Sequence, residues 1–511
     1  MGRPQLFVEP AARRRRWLWP NLGVLLFLLS LAGIYGGDSN FLTDPATARH
    51  LVAGKLAWTQ GPVLATDPYT FTLAGQPWMQ HQWLFDLTVG GLELAGGVPL
   101  AFVFGVVLFA LAPLALWRLL AGEGVPWPVG LLYVCFAVVL LHAHWLLRPQ
   151  LLNYVLLPVF IAAWYRYPRG LSPASWAVLL VLLVLWTNVH GGFVTALLFW
   201  GLAWTGRLVD NALAKRRVLD DPARRWAVFG AVAGLVTLLN PFGGALHGQI
   251  WRMVFQIESY AFYHEYQRLD FASGDPLAFG YLLLVALLIA SRFLPGRGPL
   301  GWESVLPLVV FAYFAVTSQR HVLLLLLVAA VPLCRAWGGF LLHVMSGPQR
   351  ERVLGVTRFE RASRSHLWQV PLLAAVLALP FLATPIAGEL RVGERNLSPE
   401  AVAWLKANRE QVRRPLTTTW NGGPLAYHLG PDFKISYDDR NEFHGDARLN
   451  DLITLLEARH GWRELLRREG FDSVIVEPGR KLVYKLRGRR GWLQVHEDET
   501  VVIFVRVSGE R

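Results

Sequence analysis

Apolar residues along this chain fall in long unbroken blocks, not at every second or every third to fourth position. Runs at 22–34, 98–116 and 174–186 show this most clearly. The hydrocarbon core of a bilayer takes about 20 apolar residues per helix, so the blocks predict membrane-spanning helices. Eleven follow: 17–36, 98–118, 126–147, 149–166, 174–187, 192–206, 226–240, 277–293, 302–318, 321–341 and 368–388. One stretch is ambiguous. Thr187-Asn188-Val189-His190-Gly191-Gly192 interrupts 174–206, which reads either as a hairpin of two short helices or as one long interrupted helix. The choice inverts the orientation of everything downstream. With the hairpin, 22 Lys and Arg before residue 389 fall on the cytoplasmic side and 6 outside; with the single helix the numbers become 11 and 17. Cytoplasmic loops carry the excess of Lys and Arg, so the hairpin is expected, with a cytoplasmic N-terminus and an extracytoplasmic C-terminus.

Composition agrees. The 511 residues are 54% hydrophobic and 17% charged, where a soluble domain carries about 25% charged residues. The net charge of +13 would suit a nucleic-acid partner, but the basic residues cluster at 13–16, 215–217 and 350–364, each beside an apolar block. Nucleic-acid binding asks for a basic face on a folded domain, and none is present in the pattern. Cys135 and Cys334 both lie inside apolar blocks, so no disulfide framework is implied. A basic run precedes the first apolar block with no small-residue cleavage site after it, which predicts an uncleaved first span.

The expected fold class is therefore a polytopic α-helical membrane protein, with a transmembrane region at 1–388 and a soluble extracytoplasmic α/β domain at 389–511. That last segment is nearly charge-balanced, with 21 basic and 19 acidic residues. Ser398-Pro399-Glu400 supplies an N-cap, a proline at the first helical position and an acidic first turn, predicting a helix over 399–413. Helices are also expected at 448–459 and 462–469, the latter stopped by Gly470. Val- and Ile-rich strands are expected at 472–477, 492–496 and 500–507, together a two- or three-layer sandwich.

Two outer loops, 37–97 and 241–276, carry candidate chemistry; the second holds Glu258, His264, Glu265 and Asp270. In the first, Asp38 and Asp44 lie just past the first span. A carboxylate there can serve as a general base or help to hold a divalent cation. Asp44-Pro45 and Asp67-Pro68 also read as turn starters. His50 lies on an amphipathic segment, and Trp78, His81 and Trp83 follow a Gly-Gln-Pro turn. Arg148 falls in a tight turn between spans, Asn188 and His190 at the hairpin tip, and Arg320-His321 between the ninth and tenth spans. Ionisable groups near membrane depth are costly and usually face a cavity. In the hairpin topology all of them gather at the outer face. An anionic ligand with a lipid tail would use such a set, with Arg for phosphate, a carboxylate for an incoming hydroxyl and an apolar groove for the tail.

The order of these features resembles the GT-C superfamily of polyprenyl-phosphate-sugar glycosyltransferases, which includes protein O-mannosyltransferases, aminoarabinose transferases and oligosaccharyltransferases. A poorly characterised bacterial branch is the nearest likeness. The matching segments are Asp44-Pro45 through His50-Leu51, Thr66-Asp67-Pro68-Tyr69-Thr70-Phe71-Thr72, Gly75-Gln76-Pro77-Trp78 with His81-Gln82-Trp83, Trp186 through Phe193, Asn240-Pro241-Phe242-Gly243, Arg320-His321 and Asp438-Asp439-Arg440. Ala46, Ala48 and Gln82 depart from the branch pattern, so a first-loop acid pair would have to be Asp38 with Asp44.

The resemblance implies an inverting transfer at the outer face of a bacterial cytoplasmic membrane. A polyprenyl-phosphate-linked sugar is the implied donor, and a lipid, glycan or protein is the acceptor. Asp44, with Asp38, is the implied catalytic group. His50, Asp67, His81, Arg148, Asn188, His190, Arg320 and His321 are the implied substrate-binding set. A divalent cation (Mg or Mn) at Asp38 and Asp44 is the one cofactor it allows. Two rival functions use the same features: a transporter or flippase of lipid-linked glycans, and a non-catalytic envelope scaffold. The nearly all-apolar inner half of spans such as 302–318 counts against a polar path through the bilayer.

Overall fold

The computed structural model describes residues 17–35, 40–142, 145–167, 171–255, 266–295, 300–383 and 392–507. The helices in the first part of the chain are α1 (Leu22–Tyr35), α2 (Pro45–Gln60), α3 (Trp83–Gly122), α4 (Trp127–Leu141), α5 (Leu151–Arg166), α6 (Pro173–Val189) and α7 (Val194–Leu213). They continue with α8 (Asp221–Val236), α9 (Ala245–Phe255), α10 (Pro276–Ala290), α11 (Trp302–Thr317), α12 (Val322–Val344), α13 (Gly347–Ala362) and α14 (His366–Ala383). Four helical stretches among the described residues are long and apolar enough to cross a membrane: Trp83–Gly122, Gly191–Leu213, Pro276–Phe293 and Gln319–Val344. Six shorter apolar helices accompany them. The expected count of eleven spans thus meets four helices that reach spanning length by themselves.

Aromatic packing fixes the ambiguous 174–206 stretch. Phe229 of α8 lies 5.1 Å from the ring of Trp176 in α6 and 4.8 Å from that of Trp200 in α7. A continuous helix would hold residues 176 and 200 about 36 Å apart, at 1.5 Å per residue. The two helices therefore fold back as a hairpin. The turn is made at His190, whose backbone is extended (φ −160°, ψ 141°).

The first long loop is more ordered than its sequence suggests. Helix α2 is buried along most of its length, from Pro45 to Ala57, and α3 begins at Trp83, well before the expected span at 98. A kink at Gly96 and Gly97 separates that early part from the apolar remainder. Helices α2 and α3 cross where glycines let the backbones touch: a Cβ on Gly54 would lie 1.9 Å from the Asp86 carbonyl oxygen. Only hydrogen fits there, and the crossing sets His50 of α2 beside Asp86 of α3.

The last part contains α15 (Pro399–Ala407), β1 (Pro415–Leu416), α16 (Gly422–Leu429), α17 (Asn441–Leu456), α18 (Trp462–Arg468), β2 (Ser473–Val476), α19 (Lys481–Leu486), β3 (Trp492–Glu497) and β4 (Val502–Arg506). The sheet order is β1-β2-β4-β3, with β1 parallel to β2 and the other pairs antiparallel. The expected strands are found. The expected helix over 399–413 ends earlier, at Ala407, because Asn408 leaves the helical region (φ −119°) and a single 3₁₀ turn, Arg409–Gln411, follows.

This domain shares a core with the first loop. Val52, Ala53, Leu56, Leu64, Tyr69 and Trp78 pack with Leu397, Leu405, Leu425, Ile435, Ile475 and Ile503. Two backbone hydrogen bonds seal the contact: Phe71 N–H to Ile435 O at 3.0 Å, and Ile435 N–H to Tyr69 O at 3.1 Å.

Candidate functional site

A cavity of about 1160 Å³ lies where four breaks in the helical layer meet the C-terminal domain. The breaks are the start of α2, the Leu146–Gln150 turn, the His190 hairpin tip and the Ser318–His321 turn. Asp44, His50, His81, Arg148, His190, Arg320 and His321 all line it. Seven of the sequence-selected residues, scattered over nearly 280 positions, are thus brought to one space. Two others, Asn188 and Asp67, are not. Asp38 lies outside the described residues, as do Glu258, His264 and Glu265. Asn188 sits behind the wall: its side chain accepts from Trp83 Nε1 (3.0 Å) and donates to the carbonyls of Val184 and Leu239. Asp67 lies in the contact between the first loop and the C-terminal domain, bound to Arg440.

Asp44 is the N-cap of α2, with Pro45 at the first helical position, and its carboxylate accepts from Thr47 N–H at 3.1 Å. The turn-starter role is therefore realised. The same carboxylate also forms a two-point ion pair with Arg148, whose Nε donates at 2.8 Å and whose second contact is the amino group Nη2. Backbone contacts hold the partners together: Leu147 N–H donates to Phe41 O (3.1 Å), and Thr47 Oγ1 donates to Leu147 O (3.1 Å).

His50 donates from Nδ1 to Asp86, which also accepts from Gln80 Nε2 at 2.7 Å. Burial, then the neighbouring Arg49 guanidinium, lowers the pKa of the His50 ring despite Asp86. The ring is thus fixed in one tautomer with Nε2 toward Arg49. His190 is held by its own loop, since Gly192 N–H donates to its Nδ1 at 2.9 Å. A Cβ on Gly192 would lie 2.1 Å from Asn153 Oδ1, so any side chain there would displace Asn153. Burial, then Arg320, pushes the His190 ring well below its usual pKa, so it stays neutral. Arg320 lies over the Tyr266 ring at 4.5 Å.

Sequence reasoning missed several lining residues. Arg268 and Arg395 are exposed to the cavity and have no acidic partner among the described residues. Lone arginines in loops leave no pattern to find. Arg49 pairs with Asp439 at 2.8 Å and both line the cavity; Asp86 acts from behind through His50. The apolar part of the wall comes from Ile250, Met253, Val254, Phe314 and Leu324. Among the described residues no three His, Cys, Asp or Glu side chains converge to hold a metal ion. The Asp44 carboxylate accepts from Arg148 and Thr47 N–H, and Asp38, the other acid expected to hold a divalent cation, lies outside the described residues.

No protein-family profile matches the chain, and no curated protein matches it. Solved structures do. The apo oligosaccharyltransferase of Archaeoglobus fulgidus superposes with a TM-score of 0.56 at 12% identity, covering 89% of this chain and 69% of that one. The chain shares the fold of that oligosaccharyltransferase. ArnT from Cupriavidus metallidurans bound to undecaprenyl phosphate also matches, at a TM-score of 0.46 and 13% identity over 96% of this chain and 98% of that one. A mostly helical fold with a small C-terminal sheet, as expected, is thus found, at an identity too low to carry over any residue's role.

Proposed function

We propose that this chain is an integral-membrane glycosyltransferase that moves a sugar from a polyprenyl-phosphate donor to an acceptor at the cell envelope. The observation that carries the reading is the cavity, where a paired carboxylate, several arginines and an apolar wall meet at one end of a GT-C helical layer. Arg268, Arg320 and Arg395 suit a lipid phosphate, whose charge they stabilise as it departs. The apolar residues of α9, α11 and α12 suit the first isoprene units.

Asp44 is the general base. In the structure it is occupied by Arg148, so the donor phosphate has a specific effect on arrival: it competes for the guanidinium and frees the carboxylate. The acceptor hydroxyl then attacks the anomeric carbon from the face opposite the phosphate. Its proton passes to Asp44, the anomeric carbon–oxygen bond to phosphate breaks, and the polyprenyl phosphate leaves with the electron pair. Configuration inverts. No step here runs through a metal. The proposed setting is the bacterial cytoplasmic membrane, with the cavity on its outer side.

The test is comparative mass spectrometry of envelope glycans and lipids from a deletion strain restored with wild type or with Asp44→Asn. A sugar missing from both the deletion and the Asn strain, at equal protein levels, supports the reading; loss of such a base costs about 10²–10⁴ in rate. Full restoration by the Asn variant leaves Asp44 as an N-cap and removes the mechanism.

A further inference from the structure

We infer that the acceptor is a carbohydrate, held on the C-terminal domain's side of the cavity by Trp420, Thr419, Asp439 and Glu442. The inference rests on the glycosyltransferase reading and adds the substrate class.

The cavity has two unlike walls. The helical side and the turn that enters the domain bring Arg148, Arg268, Arg320 and Arg395, with one acid, Asp44. The domain side brings Asp439 and Glu442, and its nearest cation, Arg49, is already bound to Asp439. An anionic headgroup is drawn to the first wall and repelled by the second, so the second is left for a neutral ligand.

That wall is open and held in place. Trp420 is 44% exposed, and its ring meets no other ring among the described residues. The turn that carries it is rigid: Trp420 N–H donates to Thr418 Oγ1 at 3.2 Å, Thr418 N–H to Asn421 Oδ1 at 2.8 Å, and Asn421 Nδ2 to the Ile475 carbonyl at 2.9 Å. An exposed indole on a fixed turn has little packing reason to be there. On the same wall, Glu442 is half-buried with no cationic partner among the described residues, and the Thr419 hydroxyl has no side-chain hydrogen bond among them. A sugar ring answers each of these. Its C–H face lies on the electron-rich face of an indole. Its hydroxyls donate to carboxylates, which can only accept, and exchange either way with a threonine hydroxyl. A peptide acceptor would ask for backbone partners along a strand edge, and a lipid acceptor for an apolar wall; a polar turn and the start of α17 supply neither.

Position completes the argument. A Cβ on Gly423, three residues after Trp420, would lie 2.4 Å from the Pro45 carbonyl oxygen. The turn that carries the platform therefore packs against the start of α2, next to Asp44, and Trp420 and Asp44 line one cavity, across which a ring seated on the indole would offer a hydroxyl to the base. The bond made joins the donor's anomeric carbon to that hydroxyl oxygen; the proton goes to Asp44 and the lipid phosphate leaves.

The test first identifies the residue to which the Asp44-dependent sugar is linked, by linkage analysis of the envelope fraction that loses it. Membranes carrying each variant are then assayed on that isolated acceptor. The expected linkage is to another sugar. Trp420→Ala raises the acceptor KM about tenfold with the maximal rate kept, and Trp420→Phe restores most of the affinity. Glu442→Gln, which alters charge and not shape, also raises that KM. A sugar linked directly to a protein side chain or a lipid hydroxyl overturns the inference and leaves the transferase reading standing. Unchanged KM in both Trp420→Ala and Glu442→Gln overturns it too. If no envelope sugar is lost even in the deletion strain, the transferase reading itself falls.

Discussion

Two arginine–aspartate clusters in this molecule share their chemistry and differ in their surroundings. Arg440 binds Asp438 through Nε and Nη2 (3.0 and 2.6 Å) and Asp67 through Nη2 (2.6 Å), and all three side chains are at most 1% exposed. Its guanidinium also lies over the rings of Tyr69, Trp78 and Phe443 at 4.5–4.7 Å. Arg148 and Asp44 form the same kind of pair, but Arg148 remains 18% exposed and both face the cavity. The first cluster clasps the first loop to the C-terminal domain and has no room for a third party. The second is open on one side to whatever enters. Enclosure, not pairing, separates a structural ion pair from one that can change partners.

The largest effect expected from this contrast is on stability. Arg440→Ala strips two buried carboxylates of their partner, and removing one member of a buried pair costs about 3–5 kcal/mol. Thermal unfolding of the purified protein, followed with limited proteolysis of the C-terminal domain, should show a sharp loss. An unchanged Tm would place the clasp among dispensable pairs and break the comparison.

Acid should act on the same cluster. Burial alone would raise the Asp438 carboxyl, but the Arg440 guanidinium and the His444 hydrogen bond outweigh it and hold the group well below the usual carboxylate range. A depressed folded-state pKa contributes stability that is present above the unfolded value, about 3.9. That contribution is lost as pH falls from there toward the folded pKa. Denaturation midpoints measured from pH 6 down to pH 3 should therefore drop below about pH 4, and Asp438→Asn should flatten that slope. A slope unchanged in the variant would assign the acid sensitivity elsewhere.

The sequence makes the large features legible because the bilayer demands them. Apolar blocks mark the helices, and the charge count favours the hairpin that Trp176, Phe229 and Trp200 display. The domain strands are legible from their Val and Ile content. Helix α2 is not: it reads as amphipathic, yet the C-terminal domain covers its other face and buries it. No local pattern announces a cover some 340 residues away. The site is half legible for the same reason. Chemistry-bearing residues stand out singly, but Arg148 pairs with Asp44 because the Leu146–Gln150 turn packs on the start of α2, and Asp86 with His50 because α2 and α3 cross. As a sequence, Asp438-Asp439-Arg440 suggests an Asp439–Arg440 pair or an acceptor contact; Arg440 instead takes Asp438, and Asp439 turns to Arg49.

The smallest expected effect sharpens the contrast most. Lysine keeps the charge of arginine but not its planar, two-point fork. At position 440 the fork serves two carboxylates at once, so Arg440→Lys should destabilise the protein nearly as a deletion would. At position 148 the open side lets water and the substituted ammonium share the solvation of Asp44, so Arg148→Lys should lower stability by about 1 kcal/mol or less. Its kinetic effect should fall on the donor: a weaker two-point grip on phosphate raises the donor KM about tenfold, while the acceptor KM holds. Transfer assays titrated separately in each substrate make the distinction. If Arg148→Lys instead matches Arg440→Lys in lost stability and leaves donor KM unchanged, then Arg148 is a second clasp, and the base is freed by some other group.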